Sequence, residues 1–141
     1  MQRTIQIAFY HSLDEDGTPT SQETHTFDSL VERFRALGTV RKPLDYTKQS
    51  LDLAKSGPCF LAGDCPERGN VLSRSCVVLD GDSHADSEAL LDATHGYYRI
   101  IWQTYKSGLT QSGDEWQPSG PDSDSDRLRI VLPLDRDIPA N

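Results

Sequence analysis

The chain has few cysteines and none in a Cys-x-x-Cys pair. Cys59, Cys65 and Cys76 are an odd number with no ribbon spacing, which argues against a disulfide framework and against a structural zinc site, and leaves reduced, cytoplasmic thiols as the expectation. No apolar run approaches the length of a bilayer span, and Met1 to Ile7 alternates instead of forming a signal-peptide core, so neither a membrane segment nor export is expected. Positive charge is scarce: 14 Lys and Arg face 22 Asp and Glu, a formal charge of -8. The average field of such a surface repels nucleic acid and attracts cations or basic surfaces. A Walker loop and a Gly-x-Gly-x-x-Gly turn are both missing, and with them the common phosphate cradles. His11, His25, His84 and His95 are scattered without a His-x-x-x-His or His-Glu-x-x-His pair, which gives a zinc hydrolase little support. No Gly-x-Ser-x-Gly or Cys-His arrangement suggests covalent catalysis.

What is present fits one domain over residues 1–141, long enough to bury one hydrophobic core. Ile5, Ile7 and Phe9 alternate, predicting a half-buried strand over 4–10. Asp14 to Pro19 reads as a turn, Thr24 to Phe27 as a returning strand, and Asp28 as the cap of a helix carrying Leu30, Val31, Phe34 and Leu37 on one face, with Gly38 ending it. A short helix is expected near 47–55, a short strand at 58–62 and a loop at 63–70. The run from Cys76 to Leu79 reads as the best buried strand of the chain, ending at Asp80. Within it Cys76 is expected as a small buried hydrophobe. Asp86 or Ser87 can start a further helix ended by Gly96, Tyr98 to Trp102 reads as a strand, and residues 110–126 read as an exposed or mobile loop. Leu128, Ile130 and Leu132 mark a final strand closed by Pro133. The predicted class is α+β (mixed α/β), one sheet of about five to six strands with two to three helices.

The chemistry with the clearest pattern is Asp80-Gly81-Asp82 at the end of the apolar run. In an extended strand end, side chains two apart share a face, so the two carboxylates can grip a hard divalent cation such as Mg²⁺ or Mn²⁺ through oxygen. His84 and Asp86 continue the alternation as further ligands. The same residues equally suit a solvated acidic turn with Asp86 capping the next helix. Arg127 and Arg129 alternate on the final strand and can clamp phosphate, or pair with carboxylates nearby. Trp116 and the Tyr97-Tyr98 pair can stack on bases or serve as cover for a core.

The stretch Asn70 to Asp82 resembles the first motif of phage and plasmid members of the archaeo-eukaryotic primase (primase-polymerase) superfamily, in which a buried strand delivers an Asp-x-Asp to catalytic metal. Ile101 to Ser107 is similar to the second motif, and Arg127 to Leu134 resembles the Arg-rich strand that follows it. Order and spacing agree over residues 57–139, and 1–56 match loosely. The resemblance implies Asp80 and Asp82 as metal ligands and catalytic residues, and Lys106, Arg127 and Arg129 as nucleotide or phosphate ligands. Two departures stand beside it. Lys106 and Ser107 occupy the turn where the family supplies a histidine, although lysine can bind phosphate as a point charge. The third acidic motif should fall beyond Asn141, with Asp135 or Asp137 as the nearest stand-ins, so a complete two-metal site lacks carboxylates.

The expectation that follows is a phage or mobile-element protein with a degenerate primase-polymerase-like domain. It would bind host nucleic-acid machinery as an acidic anti-defence inhibitor of the anti-CRISPR type, competing for a basic groove. The alternative is a metal-dependent primase or nucleotidyltransferase of DNA replication. A third reading makes the chain the N-terminal piece of a longer replication protein, since Asp135 to Asn141 adds no closing helix.

Overall fold

The computed structural model describes residues 3–11, 18–37, 45–55, 58–67, 69–113, 115–118 and 126–140. The expected turn at Asp14 to Pro19 falls mostly outside the described residues, as does Gly38. Among those described, three helices and nine strands alternate in an α+β arrangement. The expected single sheet is instead divided into three: β2-β1-β3, β4-β5-β9-β6 and β7-β8. The chain forms two compact units, one of Met1–Thr39, Ser56–Val78 and Val131–Asn141, the other of Val40–Lys55 and Leu79–Ile130. Two long strands, β5 (Ser73–Gly81) and β9 (Leu128–Pro139), contribute residues to both.

In the first unit β1 (Ile5–Tyr10) lies between β2 (Ser21–His25) and β3 (Cys59–Leu61), antiparallel to each, with Ile7 opposite Glu23 and Phe9 opposite Phe60. The alternation is obeyed by Ile5 and Ile7, which are fully buried, but Ala8 and Tyr10 on the opposite face are buried too, because Cys65 packs there. Helix α1 (Phe27–Ala36) starts at Thr26, whose hydroxyl accepts from the Ser29 N–H at 3.2 Å. Thr26 is therefore the cap, and Asp28 sits in the first turn, where its charge complements the helix dipole. Leu30 faces inward from α1, and Phe34 meets Phe9 and Phe60 edge-on with ring centres 6.1 and 5.0 Å apart. Such offset geometry is the one aromatic quadrupoles favour. The Arg33 guanidinium lies 4.3 Å from the Phe9 ring centre and forks onto Glu23.

The loop expected at 63–70 contains β4 (Gly63–Asp64), which pairs with the start of β5. A Cβ at Gly63 would meet the Ser73 carbonyl oxygen at 1.9 Å, so this pairing requires glycine. Further along β5, Ser75 is buried and donates to Asp137 Oδ1 of β9 at 2.6 Å, while accepting from the Gln6 N–H. Arg3 reaches the same carboxylate oxygen at 2.8 Å. The expectation of a fully buried β5 is corrected: Cys76 is buried, but Val77 and Val78 are 40% and 39% exposed. Neighbouring strand residues point to opposite faces, so both faces of β5 are incompletely covered there.

In the second unit α2 (Lys48–Lys55) buries Leu51, and α3 (His84–Ala93) starts at Ser83, whose hydroxyl accepts from the Asp86 N–H at 3.1 Å. Neither Asp86 nor Ser87 is the cap. Arg99 donates to the Leu91 carbonyl near the end of α3 and leads into β6 (Ile100–Gln103). The segment expected as a mobile loop holds a hairpin, β7 (Leu109–Ser112) and β8 (Glu115–Pro118), with Ser112 opposite Glu115. The final strand does not close at Pro133 but runs on to Pro139. Proline is tolerated within a strand at positions that owe the ladder no donor.

Candidate functional site

Asp80 ends up on the solvent side of β5, next to the cross-strand Arg129 of β9. The Arg129 Nε–H donates to Asp80 Oδ1 at 2.5 Å, with both side chains more than 40% exposed. Asp82 lies one residue beyond the strand, exposed and without a partner among the described residues. Gly81 between them is buried for a packing reason: a Cβ there would come within 2.6 Å of Ser87 Oγ and 3.1 Å of its Cα. The Ser87 hydroxyl in turn donates to the Asp126 carbonyl at 3.0 Å. Asp-Gly-Asp is thus the docking point of α3 on the end of β5, flanked by two solvated carboxylates.

A hard divalent cation takes six or more oxygen ligands, of which a protein site supplies several. Here one of the two carboxylates already holds a guanidinium, and Asp86 lies in the first turn of the capped α3. His84 faces Glu88 one turn on, at 3.7 Å. Asp137, a stand-in for the family's third acidic residue, is engaged by Ser75 and Arg3. Among the described residues no group of three or more His, Cys, Asp or Glu side chains converges.

A second cluster does assemble, from residues the sequence scatters over more than twenty positions. The turn after β6 is tied by Ser107 N–H to Thr104 O and Leu109 N–H to Lys106 O. The β7–β8 hairpin then folds back and sets Trp116 beside that turn, with the Lys106 ammonium 4.4 Å from the indole ring centre. Arg127 enters β9 with its carbonyl accepting from Thr104 N–H and its own N–H donating to Ser107 Oγ. That backbone anchoring puts its guanidinium 5.1 Å from the same ring centre. Lys106 also lies 5.6 Å from the Tyr105 ring. Cations over an aromatic face are held by the ring quadrupole, more strongly when water is partly excluded, and all three residues are half-buried.

Of the five residues expected to carry chemistry, four fall into two groups and Asp82 joins neither. Asp80 joins Arg129, and Lys106 joins Arg127 through Trp116. Arg127 and Arg129 do not act as a pair, since each is directed to a different partner. Tyr97 and Tyr98 are 69% and 80% exposed, so they are not core cover. The role of Trp116 as the ring that gathers both cations was not legible. The available signal was the dipeptide Gly113-Asp114 in the sequence, a composition that suits a short hairpin connection, and the hairpin pairs Trp116 with Gln111.

Among the described residues no helix is long and apolar enough to cross a membrane. The chain matches no family model, no curated protein and no solved structure.

Proposed function

We propose that the chain works by binding and not by catalysis: a phage or mobile-element protein with a degenerate primase-polymerase-like domain, acting in the cytoplasm. Its acidic surface would occupy the basic groove of a host nucleic-acid-binding protein or complex, in the manner of anti-CRISPR-type inhibitors. The Arg129–Asp80 ion pair carries the non-catalytic part of this reading. The Arg129 guanidinium occupies Asp80 Oδ1, and the described residues bring no cluster of three acidic, imidazole or thiol side chains around the remaining oxygen. The formal charge of -8 supports the class of partner, because complementary fields steer association and penalise like-charged competitors.

The test has two arms. Purified chain with Mg²⁺ or Mn²⁺, nucleoside triphosphates and single-stranded templates is expected to make no product. Metal-dependent primer synthesis or extension that disappears in Asp80→Ala would establish the enzymatic alternative instead. In the second arm, capture of a nucleic-acid-binding complex from host lysate should weaken steeply as salt rises, and the captured complex should release its nucleic acid when the chain is added. A captured complex that keeps its nucleic acid in full would overturn the inhibitor reading.

A further inference from the structure

One face of the β5–β9 pair in the first unit carries apolar side chains and cations together. The Ala140 N–H donates to the Leu72 carbonyl at 2.9 Å and the Ser75 hydroxyl donates to Asp137, so the two strands run antiparallel. That register sets Arg74 beside Ile138, Cys76 beside Arg136 and Val78 beside Leu134, and strand alternation turns all six to one face. The other face, with Ser75 and Asp137, is the one that meets Arg3 and Gln6. Arg74, Cys76, Val78, Leu134 and Ile138 line a groove of about 380 Å³. Cys76 is buried at its floor, whereas Val78 and Ile138 are 39% and 50% exposed and both arginines are open to solvent. Among the described residues that line the groove, Arg74 is the one charged side chain, and none is a carboxylate. An apolar trough edged by cations is unlike the average surface of a chain with a formal charge of -8. All these residues fall within Ser56–Val78 and Val131–Asn141 of the first unit.

We infer that this groove binds a single-chain amphiphile with a carboxylate head, a ligand of the fatty-acid class. Its volume lies within the range of about 300–1,000 Å³ that small-molecule sites occupy. The described walls are aliphatic, with no ring to stack on, which suits a flexible methylene chain better than a planar ligand. Laid along Val78, Leu134 and Ile138, such a chain takes its own apolar surface and theirs out of water. The head group is chosen by charge. Arg74 and Arg136 stand diagonally across the strand pair, about 7–8 Å apart at their Cβ atoms, so both guanidinium groups can reach one carboxylate, for which their planar forks are matched. A bilayer is the poorer occupant, because the excess of eight negative charges is repelled by an anionic membrane surface, whereas one small anion responds chiefly to the two cations beside it. This site goes beyond the inhibitor reading and does not depend on it, since it needs no macromolecular partner.

The experiment titrates the full chain at neutral pH with octanoate, decanoate, octan-1-ol and octylammonium, each below its micelle concentration, and follows methyl signals by NMR. Saturable movement of the Val78, Leu134 and Ile138 methyls, with those of Ile5 and Leu30 unmoved, is the expected result. Decanoate should bind about tenfold tighter than octanoate, the effect of two further methylenes leaving water. Octanoate should bind tighter than octan-1-ol, and octylammonium weakest. Arg74→Gln should weaken decanoate about threefold to tenfold, the loss of one charge-assisted contact at an exposed site, and leave octan-1-ol as it is. Arg35→Gln, the same change of charge on α1, should change neither. Val78→Asp and Ile138→Asp each set a carboxylate in the groove at an exposed position and should abolish decanoate binding, and either suffices if the other fails to fold. No saturation by decanoate, octylammonium binding as tightly as octanoate, or affinity that survives both Asp variants would overturn the inference. So would binding to phosphatidylglycerol vesicles without binding of monomeric decanoate, which would make the face a membrane contact instead.

Discussion

Glu23 is a carboxyl whose chemistry the fold alters strongly. The Arg33 fork is the main cause, aided by His25 and Ser21 against an opposing effect of burial, and together they hold the Glu23 carboxyl at about 2 instead of 4.5. A carboxyl depressed on folding adds stability that is complete above its unfolded value and is lost as pH falls toward its folded one. The melting temperature of the wild type should therefore drop between about pH 5 and pH 2 more steeply than that of Glu23→Gln. At neutral pH the substitution should cost about 1–2 kcal/mol in urea unfolding, the worth of a half-exposed charged hydrogen bond. Cys76 shows the opposite shift: burial pushes its thiol up to about 12. Only Cys59 is partly open, while Cys65 and Cys76 are buried. Alkylation of the native protein at neutral pH followed by peptide mapping should modify Cys59 first, with the other two reacting only after denaturant is added.

At the scale of elements, one carboxylate joins three strands of the first unit. Asp137 of β9 receives Ser75 of β5 and Arg3, two residues ahead of β1, and Ser75 also accepts from Gln6 of β1. The Ser75 hydrogen bond, ahead of Arg3, holds the Asp137 carboxyl below its usual range, so this contribution too fades in acid. Asp137→Ala should cost about 1–3 kcal/mol, because it leaves a buried hydroxyl and a guanidinium without their acceptor. Ser75→Ala added to it should cost much less than Ser75→Ala alone, a coupling that a double-mutant cycle in urea would measure.

The elements that the sequence made readable are those with an amphipathic period. β1, α1 and α2 lie close to where Ile5 and Ile7, Leu30 and Phe34, and Leu51 place them. Three misreadings have separate physical origins. Val77-Val78-Leu79 looked like core because a continuous apolar run carries no information on which face is covered. The β7–β8 hairpin looked like a loop because Thr110, Gln111, Ser112, Glu115 and Gln117 are polar, so its pairing rests on backbone bonds and the positive φ of Gly113. Pro133 looked like a stop because proline lacks an N–H, yet β9 passes through it. The site was readable residue by residue but not as groups. Which arginine meets Asp80 and which meets Trp116 is decided by strand pairing and by the hairpin, neither of which sequence spacing encodes.

For the molecule as a whole, the excess of eight negative charges makes the proposed capture of a basic partner an electrostatic event that weakens as salt rises. Substituting exposed acidic residues such as Asp82 and Glu88 by their amides should weaken that capture at a fixed salt concentration, measured as the fraction of partner retained.

The contact between Gly81 and Ser87 bears on how the acidic pair should be weighed as a signature. No side chain fits at position 81, since even a methyl group would strike α3, whereas Asp82 is surrounded by solvent. In a library with every residue at each position, 81 should accept glycine alone and 82 nearly anything. The glycine in the middle of this Asp-Gly-Asp is thus required by the packing of α3 on β5, whatever the two carboxylates do, so position 81 reports on architecture and not on chemistry.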